Sequence, residues 1–241
     1  RQGDTRLVMR SIDLGDVFGF GNLTLTWLSV PITVIAVVGA INAFNMVDGI
    51  DGLLGGLSIV TFGSIAFLMA QTGQIGKLQL CLLFIVAIVP FIFMNLGILG
   101  RERKVFMGDA GSMMIGFTVV WLLLGASQNL HSVKIRPVTC LWLIAVPLMD
   151  MASIMIRRLR LGRSPFNPDR EHLHHIFQNF GFSSLSTLII ICSFALLFAG
   201  FGVVAELYKI RESIMFWSFI FTFFVYNYLL VIAGRKIKSA L

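Results

Sequence analysis

Charged residues are scarce in this chain: of its 241 residues, only 13% are Asp, Glu, Lys or Arg, whereas 57% are hydrophobic. A water-soluble domain carries roughly 25% charged residues, so the composition excludes an ordinary soluble domain. The mean hydropathy is +0.88. We therefore expect an all-α, polytopic integral membrane helical bundle, because a helix satisfies its own backbone hydrogen bonds in lipid.

Cysteine is also scarce, and its distribution excludes two further classes of protein. The three cysteines, Cys81, Cys140 and Cys192, lie within apolar stretches and form no C-x-x-C pair. Such residues are typical of small apolar positions in a core, so neither a disulfide framework nor a structural zinc site is expected.

Seven apolar stretches have about the 17–25 residues that a helix needs to cross a membrane. They are Leu25–Ala43, Leu53–Ala70, Leu78–Met94, Ala110–Ala126, Val138–Ile156, Leu185–Leu207 and Ile214–Ala233. Residues 1–24 before them are expected to form an interfacial or non-cytoplasmic segment. Residues 25–241 are expected to form one membrane-embedded domain.

The distribution of Lys and Arg predicts the orientation of these spans. Eleven lie in the loops on one side, against five in the opposite loops once the first segment is set aside. The side rich in positive charge is expected to be cytoplasmic. This places the loops 44–52, 95–109 and 157–184 in the cytoplasm, together with six of the twelve acidic side chains and three of the four histidines.

The loop between the first two stretches is unusually polar for its place, reading N-A-F-N-M-V-D-G-I-D-G-L from Asn42 to Leu53. Asp48 and Asp51 are three positions apart, and Asn42 and Asn45 continue the spacing, so one helical face is expected to carry all four. The two D-G pairs would also suit a solvated turn. A buried polar group without a partner costs about 1–3 kcal/mol, so a bound cation with a phosphate ligand is the preferred interpretation.

A second polar segment, V-F-M-G-D-A-G-S from Val105 to Ser112, opens the fourth span. Asp109 in it fits two roles equally well: a helix N-cap, or one of the one or two carboxylates with which a protein binds Mg²⁺ beside substrate phosphates. Phe106 suits packing, or stacking on a base.

The remaining polar candidates lie in and after the fifth span. Asp150 is expected to face the bundle interior, where pairing with an Arg or an amide of a neighbouring helix and a catalytic role are both open. The loop that follows contains H-L-H-H, in which His172 and His175 are expected to share a helical face. Imidazole and guanidinium groups suit a diphosphate. His131 is expected in a solvated loop on the opposite side.

In combination, the segments Asn42–Leu53, Val105–Ser112 and Pro165–His175 resemble the polyprenyl-phosphate N-acetylhexosamine-1-phosphate transferases. The resemblance extends from about Ile41 to the last span. It implies transfer of N-acetylglucosamine-1-phosphate from UDP-N-acetylglucosamine to undecaprenyl phosphate, with release of UMP and with Mg²⁺ or Mn²⁺ as cofactor. Such enzymes begin O-antigen lipopolysaccharide and enterobacterial common antigen synthesis at the bacterial inner membrane.

The resemblance also implies roles for individual residues. The catalytic set would be Asp48, Asp51, His172, His174 and His175, and the metal ligand Asp109. The substrate-binding set would be Asn42, Asn45, Asn95, Phe106 and Arg170, with Phe106 near the uracil. The expected partners are a UDP-sugar, a polyprenyl phosphate and the lipid bilayer, without nucleic acid; a homodimer is left open.

One feature of the family is missing from the chain. Members have an Asp-Asp pair early in their sequence, and no adjacent aspartates occur here. We therefore expect the chain to be the C-terminal part of a longer enzyme, with that pair upstream of Arg1.

Two alternatives stay open at this point. A relative could use another UDP-sugar, such as UDP-MurNAc-pentapeptide. A transporter could line an ion path with Asp48, Asp51, Asp109 and Asp150, but transporters place such groups near the membrane midplane, and three of these four lie at predicted cytoplasmic ends.

Overall fold

A computed structural model of the protein describes residues 12–128, 134–162, 164 and 172–240, without the side chains of Ile12, Arg101 and residues 235–240. These residues form a helical bundle, as the composition predicted. Its helices are α1 (Ser29–Met46), α2 (Leu53–Gln71), α3 (Ile75–Asn95), α4 (Gly108–Ser127), α5 (Pro137–Leu143), α6 (Ala145–Arg160), α7 (Leu173–Asn179), α8 (Ser184–Leu207) and α9 (Glu212–Ala240).

Within the described residues, six helices are long and apolar enough to cross a membrane: α1, α2, α3, α4, α8 and α9. They confirm six of the seven predicted spans. The predicted fifth span, Val138–Ile156, is wrong as one continuous helix, since α5 and α6 meet at an angle of 82°.

Pro147 explains this break. In a continuous helix its ring would collide with the carbonyl of Leu143, and it has no N–H to donate to that group. The structure instead ends α5 at Leu143 and places Pro147 in the first turn of α6. The freed carbonyl of Leu143 accepts a hydrogen bond of 3.3 Å from the hydroxyl of Thr61 on α2.

Contacts between the loops define two ends of the bundle. At the first, which we call the polar-loop end, the loop 47–52 contacts Asn95 and Lys104. At the second, the hairpin end, Lys77 donates to the carbonyl of Gly125 and Arg136 donates to Glu206 at 2.9 Å. The predicted loops 44–52 and 95–109 thus lie together at the polar-loop end. The described residues between α6 and α8 lie at the same end.

The described part of the first segment lies at the hairpin end. Its strands β1 (Ile12–Asp13) and β2 (Thr24–Leu25) form a two-residue antiparallel ladder that the sequence did not predict. The backbone N–H and carbonyl of Asp13 exchange hydrogen bonds of 2.9 Å with the side-chain amide of Gln128 at the end of α4.

Helix α2 lies in the centre of the bundle, where it packs against α3, α4 and α8. Small residues allow neighbouring backbones to approach closely, which is how membrane helices commonly pack. At Gly116 of α4, a Cβ atom would lie 2.8 Å from the Cα of Ile41 on α1. The contact fixes α1 against α4, and these two helices carry the polar groups described next.

Candidate active site

The loop between α1 and α2 is held in place by Asn95, the last residue of α3. Gly52 has a φ of 81°, a left-handed conformation that favours glycine, and its N–H donates to Asn95 Oδ1 at 2.5 Å. The amide of Asn95 donates in turn to the carbonyl of Val105 at 2.8 Å, and the side chain is buried. Asn95 therefore joins two loops, and its predicted contact with substrate rests on the family resemblance alone.

Asp109 lies at the start of α4 and faces the end of α1. The N-cap of α4 is Met107, so the interpretation of Asp109 as the N-cap is wrong. Its Oδ1 accepts a hydrogen bond of 3.1 Å from the amide of Asn45, which also donates to Ser112 Oγ at 2.9 Å. Asn45 thus positions the carboxylate of Asp109, which is otherwise exposed to solvent.

Asp48 lies within the electrostatic field of Asp109. Partial burial, and then the charge of Asp109, raises the pKa of the Asp48 carboxyl above its ordinary value. A carboxylate whose ionisation is disfavoured by a neighbouring negative charge marks a place where a bound cation lowers the free energy.

Asp51 has a different partner, although it lies only three residues from Asp48. Its carboxylate forms an ion pair with Lys104, which follows the short 3₁₀ turn Arg101–Arg103. The side chains that were predicted to share one helical face therefore have different partners. Asp48 interacts with Asp109, and Asp51 interacts with Lys104. Asn42 donates to the carbonyl of Val38 within its own helix at 2.7 Å.

The donor set suits a metal held partly by substrate. Among the described residues, no group of three or more His, Cys, Asp or Glu side chains could hold a metal ion. A site in which protein side chains supply all the metal ligands is thus absent from that part of the chain. Mg²⁺ commonly uses one or two carboxylates and completes its shell with water and phosphate oxygens, and Asp48 and Asp109 fit that pattern.

The three histidines cluster around the start of α7. His172 precedes the helix with an extended backbone (ψ 157°), so the prediction that His172 and His175 share a helical face is wrong. Their rings still meet: the centroid of His174 lies 5.5 Å from that of His172 and 4.2 Å from that of His175. His172 and His174 are buried, and His175 is half-buried.

Asp150 supports this cluster from α6. Its Oδ2 lies 3.1 Å from His172 Nδ1, and its Oδ1 accepts hydrogen bonds from the N–H of Leu173 and from the hydroxyl of Tyr226. Of the predicted partners, a backbone amide of a neighbouring helix is thus confirmed. The pairing of Asp150 with His172 and Tyr226 could not have been found from the sequence, because these partners lie 22 and 76 residues away.

His174 connects the histidine cluster to the loop between α1 and α2. Its ring contacts the backbone of Gly49: a Cβ atom at Gly49 would lie 2.1 Å from His174 Nε2. Burial lowers the pKa of His174 to about 4, with smaller contributions from His175 and His172, against an opposing effect of Asp150. His174 is therefore neutral at physiological pH.

This pKa predicts how stability changes with pH. Between pH 6.5 and about 4 the unfolded chain binds a proton at His174 that the folded protein does not, so stability falls as the pH is lowered through this window, by about 3 kcal/mol in total. In the full-length protein, His174→Gln should weaken the acid dependence of the apparent melting temperature. The control His131→Gln should leave it unchanged, and an unchanged dependence in His174→Gln would contradict the assignment.

Two of the predicted site residues remain, Phe106 and Arg170. Phe106 is 73% exposed at the polar-loop end, where nothing in the described structure covers its ring. Arg170 lies outside the described residues, and its predicted substrate contact stays a prediction.

The chain is similar to known proteins along most of its length. Residues 6–127 match the model of glycosyl transferase family 4. Proteins named undecaprenyl-phosphate alpha-N-acetylglucosaminyl 1-phosphate transferase are similar to it: that of Yersinia pestis is 51% identical over 95% of this chain and 62% of the relative. That of Salmonella typhi is 51% identical over 89% and 59%, and that of Haemophilus influenzae 46% identical over 92% and 62%.

The described residues thus form a helical bundle of membrane-spanning length, with acidic loops and a histidine cluster at one end. The chain belongs to glycosyl transferase family 4. It spans about 60% of the length of the curated relatives that it matches.

Proposed function

We propose that the protein transfers N-acetylglucosamine-1-phosphate from UDP-N-acetylglucosamine to undecaprenyl phosphate and releases UMP. The observation that carries the proposal is the meeting of three distant segments at the polar-loop end: Asp48 beside Asp109, Asp51 paired with Lys104, and Gly49 against His174. The names of the relatives support the lipid acceptor and the transferred group.

The chemistry asks little of a general base. The second pKa of a phosphate monoester is about 6, so the acceptor is largely dianionic at neutral pH. The barrier comes mainly from repulsion between two anions and from charge that develops on the departing UMP. Catalysis then depends on positioning and on positive charge.

The polar-loop end offers groups for both tasks. Asp48 and Asp109 would hold Mg²⁺ or Mn²⁺, which supplies charge neutralisation at the diphosphate when bound. Asn45 keeps Asp109 in place, and Lys104 brings a cation next to Asp51. The exposed ring of Phe106 is free to stack on the uracil.

The isoprenoid tail of the lipid acceptor needs an apolar surface within the membrane-spanning part of the bundle. An apolar cavity of about 350 Å³ lies between α1, α4, α5 and α6, beside the break between the last two helices, and extends towards Leu14 and Gln128 at the hairpin end. Ile32, Ala36, Val120 and Leu148 are among its lining residues. We propose that it receives isoprenoid units of the acceptor.

The proposed reaction takes place at the cytoplasmic face of the bacterial inner membrane, where it would begin O-antigen and enterobacterial common antigen synthesis. The excess of Lys and Arg in loops of the polar-loop end supports this orientation. Nucleotide sugars are made in the cytoplasm, so the polar loops would meet their substrate there.

The test is a reconstitution of the full-length protein in liposomes with undecaprenyl phosphate and Mg²⁺. UDP-N-acetylglucosamine, UDP-N-acetylgalactosamine and UDP-MurNAc-pentapeptide are supplied in parallel, and UMP and lipid-linked product are measured. We expect UMP and a lipid-linked sugar diphosphate with UDP-N-acetylglucosamine. Product with only another UDP-sugar would reassign the donor, and ion flux without UMP would favour the transporter.

A further inference from the structure

Asp150 is a buried carboxylate that binds three different elements of the fold. It lies on α6 with only 2% of its surface exposed. Its partners are His172 and the backbone N–H of Leu173, at the start of α7, and the hydroxyl of Tyr226 on α9, at distances of 3.1, 3.1 and 3.0 Å. An isolated buried carboxylate would be strongly unfavourable, and these hydrogen bonds compensate its burial.

The geometry determines which nitrogen of His172 carries a proton. An ionised carboxylate has only acceptors, and Asp150 Oδ1 already accepts from Leu173 and Tyr226. Oδ2 faces Nδ1 of His172, so Nδ1 must donate. In the neutral ring, Nε2 then carries the lone pair.

We infer that Asp150 is a positioning residue, which fixes the tautomer and the orientation of His172 for the reaction. The activity measurement that tests this inference rests on the proposed function, whereas the spectroscopic measurement does not. Asp150 also holds the first N–H of α7, so it places the backbone that carries His174 and His175. The carboxylate acts through the histidines and need not touch the substrate.

The substitution Asp150→Asn separates this role from simple packing. Asparagine keeps one acceptor oxygen, which can still bind the N–H of Leu173 and the hydroxyl of Tyr226. Its NH₂ group would then face Nδ1 of His172 and donate to it. The neutral ring must respond by moving its proton to Nε2, so a change of nearly identical shape reverses the tautomer.

The first experiment measures ¹⁵N chemical shifts in the full-length protein labelled at histidine. Signals are assigned by comparison with His172→Ala, at a pH where the ring is neutral. We expect Nδ1 of His172 to be protonated in the unchanged protein and Nε2 in Asp150→Asn. A proton on Nε2 in the unchanged protein overturns the inference, even where Asp150→Asn fails to fold.

The second experiment measures UMP release by the same proteins. Asp150→Asn should lower kcat about 100-fold, the loss that a misplaced active-site group can cause, and should change KM for the UDP-sugar less than about threefold. The matched variant Tyr226→Phe removes a donor from the same carboxylate without reversing the polarity at Nδ1. It should keep kcat within about threefold and keep the tautomer.

A double variant tests whether Asp150 acts through His172. Adding Asp150→Asn to His172→Ala should lower the remaining kcat no further, because the group that Asp150 positions is already gone. Equal losses in both backgrounds, or an unchanged kcat in Asp150→Asn, would overturn the inference. If the unchanged protein releases no UMP, the proposed function is contradicted, while the nitrogen spectra still decide the tautomer.

Discussion

Replacing Asp109 by asparagine should lower UMP release about 10³-fold at millimolar Mg²⁺, which corresponds to roughly 4 kcal/mol of lost transition-state stabilisation. Asparagine keeps the size of the side chain and the acceptor that binds Asn45 at 3.1 Å. It removes the charge that the proposed metal would need. The measurement is kcat of the full-length protein over a range of Mg²⁺ and Mn²⁺ concentrations.

Glu102 provides the matched control for this prediction. It is an exposed acid in the same loop, within the 3₁₀ turn that precedes α4. Glu102→Gln should keep kcat within about twofold, since surface substitutions away from a site usually have small effects. Unchanged UMP release by Asp109→Asn at ordinary Mg²⁺ would remove Asp109 as the metal ligand and leave the family assignment intact.

The substitution Gly49→Ala should destabilise the protein and reduce its activity together. The new Cβ would lie 2.1 Å from His174 Nε2 and 2.2 Å from His174 Cε1. The ring of His174 packs between His172 and His175, so it has little freedom to move aside. Overpacking of this kind costs about 1–3 kcal/mol, which should appear as a lower melting temperature in detergent and as slower UMP release.

Two further variants identify the cause of that loss. Gly63→Ala on α2 is the control, because a Cβ there has no neighbour within 4 Å. The double variant Gly49→Ala/His174→Ala replaces the imidazole ring by a methyl group. It should be more stable than Gly49→Ala, although the histidine itself is lost. If the double variant is less stable than both single variants, the clash with His174 is not the cause.

The helices were predictable because their signal is local. Six apolar stretches became membrane-length helices with ends displaced by only a few residues, since hydropathy and length dominate in a chain with few charges. The failure in the fifth stretch also had a local cause. Pro147 lies inside the predicted span, and α5 ends four residues before it, at Leu143, as the clash of a proline ring with the preceding turn favours. Pro90 lies inside the continuous helix α3, however, so the rule alone does not tell which proline breaks a helix.

The pairing of polar residues was not predictable in the same way. Spacing placed Asp48 and Asp51 together, but the structure gives each a partner more than 50 residues away, Asp109 and Lys104. Such pairs depend on which helices are neighbours, and a single sequence does not contain that information. For Asn95 the motif suggested a substrate contact, whereas its neighbours in space are the backbones of Gly52 and Val105.

The bend between α5 and α6 has a consequence for sidedness. Arg136, just before α5, contacts Glu206 at the hairpin end, and Asp150 on α6 contacts His172 near the opposite end. Helices α5 and α6 together therefore cross the bundle from one end to the other. Counting the pair as one crossing makes the number of crossings odd within the described residues, so the last residues of α9 emerge on the same side as the loops of the polar-loop end. A reporter fused there would lie on that side of the membrane, whereas one inserted beside the β1–β2 ladder would lie on the other.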